Sequence, residues 1–170
     1  MMLLSRLSHA IAAAAALLAG LILVAMVGHT VLEMTLRAFF SSSTFVLDEF
    51  VGYEVAALTM LGLGYALNTG GLLRVNLIAP HLPRVLHRWL ELVLVLMVLG
   101  LMLLLATYHL DAVIRAYDRN TLSGTLANTP MWIPMGVFLV GLGVFILQLI
   151  TYALRLLVTG ELIETVREDV

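Results

Sequence analysis

Residues Leu92–Tyr108 read LVLVLMVLGLMLLLATY, with no charged residue and no proline. A segment this apolar has no wet face to offer water, and as a helix rising 1.5 Å per residue it covers most of the ~30 Å hydrocarbon core of a bilayer. Three further apolar runs occupy Ala10–Leu32, Phe50–Leu67 and Met131–Val158, and short charged connectors separate all four. The pattern predicts an all-α fold, an integral membrane bundle of four transmembrane helices with interfacial connecting segments. Residues 1–170 read as a single four-helix transmembrane domain, because no Pro/Gly/Ser-rich linker, low-complexity tail or charge block divides them. A composition 62% hydrophobic and 12% charged, with a mean hydropathy of +1.06, leaves little for a soluble domain.

The chain has no cysteine, which excludes disulfides, thiol catalysis and cysteinyl metal sites. Arg6 followed by Ala12–Ala16 imitates a secretory signal, but this apolar run exceeds the ~7–15 residues of a signal core and is expected to remain as a span. All nine basic residues are arginine. With four spans, Arg6, Arg74, Arg84, Arg88, Arg155 and Arg167 share one side, against Arg37, Arg115 and Arg119 on the other. The positive-inside rule then places both termini and the middle connector in the cytoplasm.

The first connector is crowded with charge. Glu33 and Arg37 lie four apart at the end of the first helix, Asp48 and Glu49 open the second, and Glu54 falls about a turn inside it. Arg37 is the local cation for these carboxylates, so an ion pair closing the hairpin between helices one and two is expected, with Ser41–Thr44 as its polar turn. The alternative makes Glu54 a proton or cation site, since an ionisable group within a span is a functional candidate by default. In the middle connector, Gly70-Gly71 should end helix two. The apolar segment after it is expected at headgroup level or against a partner, with Arg74 toward phosphates or carboxylates. Pro83 suits the first turn of helix three, and Trp89 its interfacial anchor. Leu110, Val113, Ile114 and Tyr117 continue helix three amphipathically until Asn120–Gly124 breaks it. Pro130, Trp132 and Pro134 then set the start of helix four.

Within the spans, Ala12, Ala16 and Gly20 form one small-residue row and Gly62, Ala66 and Gly70 another, with Gly136, Gly141 and Gly143 on helix four. Such rows bring helices together, within the chain or with another subunit. His29 and His109 near the ends of helices one and three admit a bis-histidine haem as an alternative reading. The deep interior shows no carboxylate, no cation and only scattered hydroxyls, so the broken helices and polar midplane site of a transporter core are not expected. No catalytic, substrate-binding or metal residue, no cofactor and no nucleic-acid partner is expected, and the chain is not read as an enzyme.

The connectors resemble those of the small membrane (Q-type) subunit of tripartite ATP-independent periplasmic (TRAP) transporters. The resemblance runs from about Arg37 to Gly136. Its elements are Arg37 with Phe39-Phe40, the acidic pair Asp48-Glu49, the segment Leu61–Leu67, the stretch Gly70-Gly71-Leu72-Leu73-Arg74-Val75-Asn76-Leu77 with Leu82-Pro83 after it, and Thr125–Pro134 followed by Gly136. The family pattern has His and Asp where this chain has Leu72 and Asn76. The resemblance implies an accessory subunit in the bacterial inner membrane that braces a large membrane subunit. That large subunit would carry the sodium and substrate sites for uptake of organic acids, fed by a periplasmic substrate-binding protein. Membrane lipids are the remaining expected partner.

Overall fold

The computed structural model describes residues 2–70 and 83–158. Four helices account for nearly all of them: α1 (Met2–Phe40), α2 (Leu47–Asn68), α3 (Arg84–Asp118) and α4 (Trp132–Val158). All four are long and apolar enough to cross a membrane. α1, α2 and α3 each contain the apolar run that predicts them, α4 starts one residue inside its run, at Trp132, and α1 and α3 extend well beyond theirs. At 1.5 Å per residue α2 rises about 33 Å, matching the hydrocarbon thickness, whereas α1 rises about 58 Å and must project from it. Gly71, Leu72, Arg74 and Asn76, with the rest of the middle connector, lie outside the described residues.

Backbone conformation explains the helix ends. Gly70 has φ 71°, the left-handed conformation that stops α2 where a side chain would strain. Asn120 does the same for α3 at φ 47°. There Thr121 N–H bonds to Ala116 O at 2.9 Å and Asn120 N–H to Tyr117 O at 3.1 Å, the paired bonds of a Schellman motif. Pro83 immediately precedes α3 in an extended conformation, with ψ 144°.

The bundle is open rather than four-cornered. α4 touches each of the other helices, α1 packs across α2 and α4, and the substantial contacts of α3 are all with α4. We call the end that holds residues 41–46 and 119–131 the hairpin end, and the opposite one the termini end. A core cluster of Leu67, Leu92, Val95, Phe145, Leu149, Tyr152, Ala153 and Leu156 joins α2, α3 and α4 toward the termini end.

Among the described residues, the close approaches of α2 and α4 fall at Gly141 and Gly64 rather than at Gly62 of the predicted α2 row. A Cβ on Gly141 would lie 2.8 Å from Met60 Cβ and 2.9 Å from Leu61 N, so α2 and α4 cross backbone to backbone there. Gly64 is the second such point, with Val144 Cγ1 at 3.2 Å from its would-be Cβ. A Cβ on Gly20, Gly62, Gly136 or Gly143 would meet nothing within 4 Å among the described residues. Adding a methyl at Gly141 must therefore push two backbones apart, a strain of about 1–3 kcal/mol. We expect Gly141→Ala to lower stability by that amount in detergent unfolding. Gly143→Ala, opening into free space, should be neutral or stabilise by up to ~1 kcal/mol through helix propensity.

Candidate functional site

Polar side chains concentrate at the two ends of the bundle. At the hairpin end Glu33 is 1% exposed, and its carboxylate accepts hydrogen bonds from four donors. Arg37 Nε–H reaches Oε1 at 2.8 Å and the Ser43 hydroxyl donates to the same oxygen. Thr44 donates to Oε2 from its backbone N–H at 3.0 Å and its hydroxyl at 2.6 Å. The chain can do this because Ser41 turns left-handed at φ 47° directly after α1, which folds the hydroxyl-rich connector back over the helix end. The expected interhelical ion pair of Arg37 with Asp48, Glu49 or Glu54 is replaced by an ion pair within α1, and Glu33 closes the hairpin through Ser43 and Thr44. Hydroxyls and an amide follow a tight turn more readily than a long arginine can span two helices.

Glu49 faces the other hairpin. The Thr125 hydroxyl donates to its Oε2 and Tyr53 OH to its Oε1 at 2.8 Å, while Tyr53 also contacts Met131 Sδ at 3.3 Å. The 119–131 connector is a small clip. Ser123 exchanges backbone and side-chain bonds with Thr129 at 2.9 Å, Leu122 pairs with Pro130, and Met131 N–H reaches Thr121 O at 3.0 Å. Pro130 thus sits in the clip, Pro134 in the first turn of α4, and Trp132 meets the Tyr117 ring edge-on at 5.7 Å. Asp48 and Trp89 are exposed. Glu54 is half-buried, and its Oε2 is covered by the chain without a hydrogen-bond partner.

At the termini end the interior holds a polar residue that sequence reasoning missed. Gln148, the one glutamine in the chain, is 0% exposed on α4. Its Oε1 accepts from the Ser8 hydroxyl of α1 at 2.5 Å and from Asn68 Nδ2 of α2 at 2.8 Å, and its Nε2 donates to Ser8 O at 2.8 Å. One amide therefore ties three helices. The signal was present, a lone amide inside a long apolar run. Nearby, Tyr152 OH donates to Glu91 at 2.8 Å and Arg88 to Leu157 O at 2.8 Å, joining α3 to α4.

The two histidines are engaged separately. His109 Nε2 lies 3.1 Å from Met135 O, with its ring 4.6 Å from that of Phe138, whereas His29 packs on Phe50 of α2. Among the described residues no group of His, Cys, Asp and Glu could hold a metal ion.

The fold and its end contacts define a multi-pass membrane protein whose helices are joined by polar groups at both ends of the bundle. Residues 26–159 match the family described as tripartite ATP-independent periplasmic transporters, DctQ component. The chain belongs to that family, the small membrane component of TRAP transporters, which is a transporter component family and not one of enzymes. The match extends the resemblance seen from Arg37 to Gly136 in both directions. No curated protein and no solved structure matches the chain.

The Glu33 hub yields an ordered expectation. Glu33→Gln keeps the shape but turns an NH2 toward donors that need an acceptor, and should destabilise by about 1–3 kcal/mol. Arg37→Gln removes a contact from a side chain 60% exposed and should cost under ~1 kcal/mol. Unfolding both variants in one detergent checks the order.

Proposed function

We propose that this chain is the accessory subunit of a TRAP-type secondary transporter, bracing the large membrane subunit during sodium-coupled, binding-protein-dependent uptake of organic acids. The observation that carries the reading is the family match over residues 26–159. The architecture supports it: the substantial contacts of α3 are with α4, and much of its remaining apolar surface is exposed to face lipid or a larger protein. A Cβ on Gly62 would meet nothing within 4 Å among the described residues, which leaves it available for a close approach by a neighbouring helix. The arginine distribution supports an inner-membrane orientation with both termini cytoplasmic. In that orientation the hairpin end faces the periplasm and the binding protein, and Arg74 anchors the middle connector to lipid phosphates or to a carboxylate of the large subunit.

Co-purification in mild detergent should recover the large subunit in a stable complex. Gly62→Leu or Ala66→Leu should weaken that complex, at ~1–3 kcal/mol for overpacking a close contact. A monodisperse homodimer that transports substrate without any other chain would refute the assignment. A Cys placed at Asn76 should be labelled from the cytoplasmic side only.

One observation favours a second reading, an autonomous transporter that uses Glu54, because Glu54 Oε2 has no hydrogen-bond partner. Under the first reading Glu54→Gln leaves the sodium dependence and pH profile of uptake intact and lowers only assembly or thermal stability. Loss of ion coupling in a fully assembled complex would select the second.

A further inference from the structure

The connector that folds over the end of α1 leaves a cleft of about 460 Å³ lined by Arg37, Ser41, Ser42, Ser43 and Phe45. Its depth follows from α2, whose ~33 Å rise matches the hydrocarbon, so the connector that leads into Leu47 lies at headgroup level. Arg37 spends Nε–H on Glu33 and makes one long contact, 3.4 Å, from an NH2 group to Ser43 Oγ. A guanidinium carries five N–H donors, so three remain without an acceptor among the described residues, on a side chain 60% exposed. The exposed Ser41 and Ser42 add two hydroxyls to the same cleft. Left-handed backbone at Ser41 (φ 47°) and Phe45 (φ 57°) holds its two edges in conformations that L residues rarely adopt.

The surroundings are apolar. Phe39 is 81%, Phe40 69% and Phe45 71% exposed, three rings that would be poorly placed in water but fit the upper acyl and glycerol region of a leaflet. A polar cleft with unspent donors beside exposed rings matches an amphiphile whose oxyanion and hydrocarbon are adjacent.

We propose that this cleft seats the phosphodiester of a phospholipid headgroup in the leaflet at the hairpin end, with Arg37 and the hydroxyls of Ser41 and Ser42 as donors. Glu33 already neutralises the guanidinium charge, so the cleft selects the paired non-bridging oxygens of the tetrahedral phosphodiester, which a planar guanidinium can hold together, rather than net negative charge. Zwitterionic and anionic phospholipids should then bind alike.

Native mass spectrometry of the full-length protein tests this with dioleoyl phosphatidylethanolamine, dioleoyl phosphatidylglycerol, dioleoylglycerol and inorganic phosphate as probes. Both phospholipids should give a retained adduct and dioleoylglycerol should not. Arg37→Gln should lower retention about tenfold, the worth of a hydrogen bond to a charged group. Ser41→Ala with Ser42→Ala should lower it about threefold while leaving the Arg37–Glu33 pair in place. If Arg37→Gln does not fold, the serine variant and Arg37→Lys carry the test. Arg119→Gln, at the same end of the bundle, should change nothing. Displacement of the phospholipid by inorganic phosphate would support the oxyanion as the recognised group. Phosphate binding without any phospholipid adduct would overturn the lipid assignment. Equal retention of dioleoylglycerol, or equal loss in Arg119→Gln, would overturn the site itself.

Discussion

The buried amide of Gln148 is the interaction on which the arrangement of helices depends. A carboxamide inside an apolar helix has no water to turn to, so its hydrogen bonds must come from neighbouring helices or go unmade. Its partners are Ser8 on α1 and Asn68 on α2, which fixes the rotation of α4 against both. Gly64 belongs to the same constraint, because a Cβ there would lie 3.1 Å from Gln148 Cγ. Gly141, two turns earlier on the same face of α4, brings that helix against the backbone of α2 at Met60 and Leu61. Hydrogen bonds set the register at one end of this interface and a steric close approach sets its spacing toward the middle.

The hairpin end obeys the same logic with ionised groups. Glu33 and Glu49 each gather donors from a connector, Glu33 from its own and Glu49 from the clip between α3 and α4. Both serve as acceptors that pin loops to helix ends. The two hairpins, α1–α2 and α3–α4, are joined at this end through Glu49 and Thr125, and at the other through Gln148. What remains at the margin of this scheme is α3, held chiefly by α4, which suits a subunit whose outer helix faces lipid or a larger partner.

Much of this was legible in the amino-acid sequence, and the reasons for the rest are physical. Long uncharged runs report membrane helices because only a helix satisfies its backbone in hydrocarbon, and Gly70 and Asn120–Gly124 marked helix ends through their tolerance of left-handed backbone. The contacting faces were not legible. A helix apolar on all sides carries no phase, so a row such as Gly62, Ala66 and Gly70 cannot be told from Gly64 until the partner is placed. The Glu33 hub was hidden for a different reason, since it depends on a left-handed Ser41 reversing the chain, where local spacing pointed to an arginine bridge. Gln148 was readable as a lone amide in an apolar run, although its partners, 140 and 80 residues away, were not.

A double-mutant cycle between Gln148→Leu and Asn68→Leu, read by reversible unfolding in mixed micelles, tests the central claim most directly. If the amide joins α4 to α2 as described, the two losses should be coupled by about 0.5–2 kcal/mol, the range for hydrogen bonds between membrane helices. Strictly additive losses would show that the two side chains do not share a bond, and would contradict the account of how this bundle is held.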